Sequence, residues 1–547
     1  MKLNLISKFN VYKLLPWAVT CLLTLPIIAL VFSAFKIDQS GSFQHLIDTV
    51  LLTYSLNTIV LILGVTVLSF MFALPVAWLM ATCDFPSRRV LQWALMLPLA
   101  IPPYIVAIVY TDLLDYSGPI QSSLRALMGW KNYGDYYFPE IRTIFGAMLI
   151  LSLSLFPYLY LLLRGAFLSQ SGSLFQAARN LGMSPLRAFF KVSLPLSRSA
   201  VAIGLSLIAM ETLGDYATVN YFAVSTLTTA VYDTWLELGS LTTAAKISSL
   251  MLLALVIFIA LESYSRRKQK VYQSAGGIQT ELRFKLTGWK MLVALVFSWG
   301  LLFLAFILPL LTLLHYAFHY IHESLNEQLW RYMLNSLWLA IIVAMLALII
   351  ALIVNFYQRM SPGIFAKVAI RLSSLGYAVP GTVVAISVLI PFTSADLWLN
   401  RLLVAYSLDR VGLFFSGTLF ILVMGYLVRF SAIAVGSIET SLTQISPTLD
   451  AASRSLGQSR WQTLRRVNFP LIKKGMLTAF ILVFIESMKE LPTALLLRPF
   501  NFETLATYVY QFVSDEMIEL AALPALLIIL MGLLPFIIVN RLLERKV

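Results

Sequence analysis

Charge is what this chain has least of. Asp, Glu, Lys and Arg make up 12% of its 547 residues and apolar types 59%, with a mean hydropathy of +0.83, against roughly 25% charged in soluble domains. A water-soluble globule is excluded; the composition is that of an integral membrane protein. Cysteine is almost absent. Cys21 and Cys83 sit in or beside apolar runs with no sequence reason to meet, so no disulfide framework is implied and both read as apolar filler. No Gly-rich loop of the GxxxxGK[ST] type occurs, which removes that route of nucleotide hydrolysis from the chain's own repertoire. No Ser/His/Asp or paired-His set recurs within the apolar runs, which argues against an enzyme embedded in the membrane. No small-residue cleavage pattern marks the first apolar run, so residues 14–35 are expected to stay as an anchor rather than leave as a signal peptide.

What is present is a series of apolar runs, many of them near the roughly 20 residues that cross the hydrocarbon layer as a helix. Six are expected at 14–35, 57–82, 90–114, 143–163, 199–222 and 247–262, and six more at 291–314, 329–357, 367–391, 413–435, 475–497 and 520–539. Between the sets, residues 265–290 carry RRKQK and a Gly-Gly pair and read as a solvated linker. The expected organisation is a first domain at 1–264, the linker at 265–290, and a second domain at 291–547.

The two sets are repeats. Residues 174–196, LFQAARNLGMSPLRAFFKVSLPL, and 449–471, LDAASRSLGQSRWQTLRRVNFPL, align at one offset of 275, which pairs Gly182 with Gly457 and Pro195 with Pro470. Leu174, Ala177, Ala178 and Leu181 fall at i, i+3, i+4 and i+7 and predict a short amphipathic helix; Leu449, Ala452, Ser453 and Leu456 repeat it. Gly182 and Gly457 permit the positive φ that ends one helix and re-aims the next, and each proline suits the first turn of a further helix. Each copy is a knuckle in a polar loop, at 173–196 and 448–471. Outside the knuckles, 101-IPPYIVAI-108 matches 379-VPGTVVAI-386, Asn57 matches Asn335, Glu211 matches Glu486 and Asp215 matches Glu490. Six spans per half let the repeats run parallel.

Basic residues set the orientation. Of the 40 Lys and Arg, nine (Lys36, Arg125, Lys131, Arg142, Lys246, Arg331, Arg401, Arg410 and Arg498) fall on one side and Lys489 lies within a span, which leaves 30 on the side of the knuckles, linker and termini. The positive-inside rule makes that side cytoplasmic. This also accounts for the net charge of +14 without any nucleic-acid partner.

The knuckles resemble the EAA motif of ABC importer permeases, with its small-residue start, a Gly six residues after the first position and a Leu-Pro thirteen residues beyond the Gly. Gln176-Ala177-Ala178 with Gly182 and Leu194-Pro195 fits closely, and the second copy offers Asp450, Ala451, Ala452, Gly457 and Phe469-Pro470. The resemblance implies an all-α integral membrane protein of twelve transmembrane helices in two parallel six-helix repeats, the ABC importer permease fold, as two fused halves. It implies knuckles that couple to two copies of a separate ABC ATPase, with ATP and Mg on that partner and no cofactor on this chain. It also implies a periplasmic or lipid-anchored solute-binding protein and a multi-pass place in the inner membrane lipid. The family's acidic first position is Gln176 in one copy and, in strict register, Ala451 in the other, with Asp450 displaced by one residue, so a pairing of that acid with the ATPase is weakened or rearranged. Met210 to Tyr216, and Lys489-Glu490-Leu491-Pro492 with Arg498 to Phe502, look like the fused permeases of ferric-iron importers; thiamine, polyamine and phosphonate permeases are similar.

Charges inside spans cost roughly 2.5 to 3.5 kcal/mol each at a helix centre on insertion scales, so they mark function. Glu211 and Asp215, and Glu486 and Glu490, stand at i, i+4 and are expected to share one helix face each, with Lys489 close enough to neutralise part of the set. Together with Pro102 and Pro380, which are expected to bend or break the third spans, they are the candidate lining of a passage, one that would suit iron(III), an ion that takes oxygen ligands. Packing pairs between helices are the alternative. His315, His319 and His322 at i, i+4, i+7 are a candidate metal set or an amphipathic row. Tyr133, Tyr136, Tyr137 and Phe138 are expected to anchor a loop at the membrane interface. The reading from another class is an ion-gradient-driven secondary transporter, since parallel six-span halves occur there too.

Overall fold

The computed structural model describes the backbone of residues 4–36, 41–170, 172–266 and 284–544, and their side chains except at 4–13, 172–174, 176, 186, 261–266 and 534–544. Helix dominates, because a backbone in hydrocarbon must satisfy its hydrogen bonds within the segment. The described residues hold one pair of two-residue strands, Cys83–Asp84 parallel to Phe284–Lys285. This pairing ties the far end of the linker to the loop after the second span. Most of the linker, 267–283, lies outside the described residues.

Among the described residues, eight helices are long and apolar enough to cross a membrane, and three bent helix pairs pass the same test as single spans. The helix Ile518–Glu544 follows as the last in the chain. In order, span 1 is Asn4–Ala34, span 2 Leu51–Thr82, span 3 the broken run Arg88–Ala100 with Pro103–Leu114, span 4 Ile144–Ser169, span 5 Arg198–Gly214 and span 6 Leu241–Arg266. Span 7 is Gly288–His319, span 8 Glu327–Met360, span 9 Gly381–Ala405, span 10 Leu419–Thr443, span 11 Lys473–Lys489 and span 12 Ile518–Glu544.

Two groups of spans depart from the expected ranges. Span 3 is broken rather than kinked. Arg88–Ala100 meets the run Pro103–Met128 at 93° around Ile101-Pro102, because Pro103 starts a helix without needing a donor and Pro102 takes an extended ψ of 137°. Pro380 does the same ahead of span 9, with ψ 144°, so span 9 begins at Gly381 and the helix Ile364–Ser373 is separate. Spans 5 and 11 stop at Gly214 and Lys489, well short of 222 and 497. Short helices Ala217–Tyr221 and Pro492–Leu497 follow instead.

The halves interlock. Spans 1 and 6 of the first half pack on span 9, and spans 7 and 12 of the second half pack on span 3. Thr20 Oγ1 lies 3.1 Å from Ser373 Oγ, Tyr110 donates to the Leu304 carbonyl at 2.7 Å, and Tyr316 donates to Asp112 Oδ2 at 2.9 Å. Two cores result, one built on spans 2 to 4 with 7 and 12, the other on spans 8 to 11 with 1 and 6.

The matched asparagines share one job. Asn57 Nδ2 donates to the Ser225 carbonyl at 2.9 Å and Asn335 Nδ2 to the Glu503 carbonyl at 3.0 Å. The next residue in each span, Thr58 or Ser336, accepts from the amide of Leu227 or Leu505. Each second span thereby fixes the start of the second helix beyond the fifth span of its half, Leu227–Leu236 or Leu505–Ser514.

Candidate functional site

Each knuckle folds as a helix, a left-handed corner and a second helix. The first runs Gly172–Asn180 and then from Pro185 to Leu196; the second runs Pro447–Ser455 and then from Arg460 to Leu471. φ is +83° at Gly182 and +81° at Gly457, where a Cβ would be strained. The amides of Leu181 and Leu456 donate to Ala177 and Ala452, and those of Met183 and Gln458 to Ala178 and Ser453, at 3.0 to 3.2 Å, satisfying the last carbonyls of each first helix. Leu181 and Leu456, just before the corners, are 80% and 83% exposed.

Pro195 and Pro470 sit inside the second helices rather than opening the next span. The turn ahead of each, Phe189–Ser193 and Leu464–Asn468, widens to a π turn, which relieves the clash of the ring with the preceding turn. The chain then bends by 63° at Ser197 and 69° at Ile472 into spans 5 and 11.

The knuckles are braced by different chemistry. In the second, Arg359 Nε lies 2.6 Å from Asp450 Oδ2, and the same guanidinium donates to the Leu442 and Ile445 carbonyls; Asn468 donates to Asp450 Oδ1 at 3.0 Å. In the first, Phe175 stands where the second has Asp450. Its ring meets Trp78 and Phe284 at 5.6 Å, and Trp78 also meets Phe189 at 4.5 Å and Phe167 at 5.5 Å.

Spans 5 and 11 lead from the knuckles to a cavity of about 120 Å³. Glu211, Asp215, Glu486, Lys489, Glu490 and Pro102 all line it, with Tyr104, Ser154, Tyr158 and Arg429. Asp215 and Glu490 do not continue the faces of Glu211 and Glu486. Both lie just past the helix end with extended backbone, ψ 121° and 120°, and each caps the short helix beyond. Asp215 accepts from the Thr218 amide at 2.9 Å and its hydroxyl at 3.0 Å, and Glu490 from the Thr493 amide at 3.0 Å and its hydroxyl at 2.5 Å. Lys489 Nζ pairs with Glu486 Oε1 at 2.9 Å, and Arg429 Nε lies 3.3 Å from Glu490 Oε2. Arg429 Nε and Nη1 make no aligned hydrogen bond among the described residues.

Two matches to a single family model, at residues 73–270 and 356–547, give the family as the binding-protein-dependent transport system inner membrane component. The chain belongs to that family. This permease is 24% identical over 528 residues, 95% of its own length and 96% of the relative's, to the Fe(3+)-transport system permease protein FbpB 2 of Haemophilus influenzae. It is 24% identical to the ferric transport system permease protein FbpB of Actinobacillus pleuropneumoniae over 77% of its own length and 61% of that relative's. The molybdenum transport system permease protein ModB of Escherichia coli K12 is 30% identical, over 30% of the permease and 71% of ModB.

Among the residues read from the sequence, Pro380 does not line the cavity but abuts it: a Cβ on Gly214 would lie 3.5 Å from the proline. Gln176 falls outside the described side chains. Ala177 and Ala451 are exposed, while Ala178 is buried. His315 and His319 lie side by side, ring centroids 4.3 Å apart, but the helix ends at His319 and His322 belongs to the separate turn Ile321–Ser324, and among the described residues no three His, Cys, Asp or Glu are placed to hold a metal. Tyr136 is knitted into the loop fold, stacked on Trp130 at 4.8 Å and hydrogen-bonded to Gln121 and Arg125, whereas Tyr137 is exposed. The residue that sequence reasoning missed is Arg429. It was counted among the 30 basic residues of the knuckle side but lies within span 10, leaving 29; a lone arginine inside an apolar run was the signal.

Proposed function

We infer that this permease passes iron(III) from an extracytoplasmic solute-binding protein to the cytoplasm by alternating access, driven by two copies of a separate ATPase that grip the knuckles. ATP and Mg belong to that partner, and the knuckles and both termini face the cytoplasm. The observation that carries this reading is continuity: each knuckle turns directly into the span whose other end bears the cavity acids. Displacing a knuckle therefore moves a cavity wall without any intervening loop. The exposed Leu181 and Leu456 are the apolar knobs an ATPase groove would cover. Iron is supported by the names of the relatives that align over most of the chain and by the cavity's oxygen atoms.

Purification of the tagged permease from its own cells is expected to bring down an ATPase subunit, and iron(III) uptake in proteoliposomes is expected to require that subunit, ATP and the loaded binding protein. Uptake by the permease alone under an ion gradient would overturn the reading in favour of a secondary transporter. A second cargo, an oxyanion, is favoured by the relative named for molybdenum; competition of molybdate with labelled iron(III) separates the two.

A further inference from the structure

Besides the leucine at each corner, the two knuckles share charge. The segment 172–198 contains no Asp or Glu, and 445–474 contains one, Asp450, which Arg359 and Asn468 hold inside the chain. Neither knuckle therefore offers an unpaired carboxylate to a partner. At the offset of 275, Arg179 matches Arg454 and Lys191 matches Arg466. All four side chains are exposed, and no ion pair among the described residues involves any of them. Arg179 and Arg454 stand two residues before the exposed Leu181 and Leu456, and the Arg179 guanidinium reaches across the corner to the Met183 carbonyl at 2.8 Å. Lys191 and Arg466 lie in the two π turns of the second helices.

These positions are more specific than topology requires. The positive-inside rule asks for basic residues on this side of the membrane but not for the same places in both copies. Elsewhere the second helices differ in charge: Arg187 stands against Gln462, and Phe190 against Arg465. Arg198 and Lys473 also match, but they open spans 5 and 11 and lie at the membrane end of the knuckles. A partner present as two identical copies meets both knuckles with the same groove, so it can use in both contacts only what the knuckles have in common. At the corner and the helix after it, that is an apolar knob flanked by cations.

We propose that the ATPase groove that covers Leu181 or Leu456 is rimmed by carboxylates, which pair with Arg179 and Lys191 in the first knuckle and with Arg454 and Arg466 in the second. The charge of the contact is thus reversed relative to the acidic first position of the family motif: the permease brings the cations and the ATPase the acids. As the knob seats, the cations lose water, and an acidic rim replaces it, steering the subunit on and fixing its register. A neutral or basic groove would leave them desolvated without partners. The proposal rests on the ATPase-driven reading given above.

The test uses cells carrying the complete transport system, with the permease tagged and the membrane level of each variant measured alongside. The ATPase that co-purifies with the wild type is expected to be shed as salt rises from about 0.05 to about 0.5 M, where screening shortens to a few ångströms. Arg179→Glu/Arg454→Glu is expected to lower ATPase retention more than tenfold, and Lys191→Gln/Arg466→Gln several-fold. Arg179→Lys/Arg454→Lys, which keeps the charge, is expected to retain the ATPase and so guards against a folding defect in the reversed variant. Treated with a carbodiimide, which joins an amine directly to a carboxylate, the lysine variant is expected to crosslink to an Asp or Glu of the ATPase. Retention that ignores both salt and charge reversal, which would assign the cations to lipid headgroups instead, overturns the proposal while the ATPase reading stands. So does a lysine variant that retains the ATPase yet joins none of its carboxylates. A wild-type permease that brings down no ATPase even at low salt ends that reading itself.

Discussion

At the scale of single residues, the cavity depends on a glycine and on an exposed clasp. A Cβ at Gly381 would press on Arg429, Glu490 and Thr493 at once. Gly381→Ala is therefore expected to spread the Arg429–Glu490 pair and reduce uptake at normal membrane level. Gly436→Ala in span 10, which meets nothing within 4 Å, is expected to be neutral or slightly stabilising, by up to about 1 kcal/mol. Equal uptake by the two variants would remove the steric argument. At the ends of the spans away from the knuckles, Arg142 pairs with Asp115 at 3.1 Å and with Glu516, joining the first half to the second. The guanidinium holds the Glu516 carboxyl below its ordinary value. Its contribution is therefore complete above the usual Glu range, about 4.3, and is lost as pH falls through the depressed value. Because the pair is exposed, Glu516→Gln is expected to cost under about 1 kcal/mol. The gap in melting temperature to wild type should be constant near neutrality and close in acid; a gap that widens on acidification contradicts the assignment.

At the scale of elements, the knuckle is a corner with a brace. A side chain at φ near +80° costs roughly 1–2 kcal/mol, so Gly182→Val or Gly457→Val is expected to unwind the corner and uncouple ATP hydrolysis from uptake. Unchanged coupling at normal membrane level would count against the role. The braces make the two knuckles separable. Arg359→Ala removes the partner of Asp450 and the donor to two carbonyls, a loss of about 2 kcal/mol, and is expected to expose the second knuckle to protease while leaving the first intact. Trp78→Ala should do the reverse, at a cost of about 3 kcal/mol. The acid beside the second motif's first position is thus spent inside the chain on Arg359.

At the scale of the whole molecule, the halves are repeats in sequence but not separate bodies. Spans 1 and 6 cover span 9, and spans 7 and 12 cover span 3, so either half alone would leave an apolar face without its partner. Residues 1–272 and 273–547 made as separate chains are expected to be degraded singly and to accumulate when made together, read by immunoblot of the membrane fraction. Stable accumulation of one half alone would show that the interlock is dispensable.

Composition, periodicity and the offset of 275 were enough to establish a membrane protein of two parallel halves with a Gly-cornered knuckle in each, because those features are local: apolar runs, a 3.6-residue period and a left-handed glycine act within a few residues. The acids of spans 5 and 11 were legible too, since an ion in hydrocarbon needs a reason wherever it lies. Only the tertiary structure decided that the helices end before Asp215 and Glu490, that Asp450 turns inward to Arg359, and that His322 is set apart from His315 and His319. It also decided that Arg429 reaches the cavity from another span. Those outcomes depend on which partner a polar group finds across the fold, and sequence spacing carries no record of that partner.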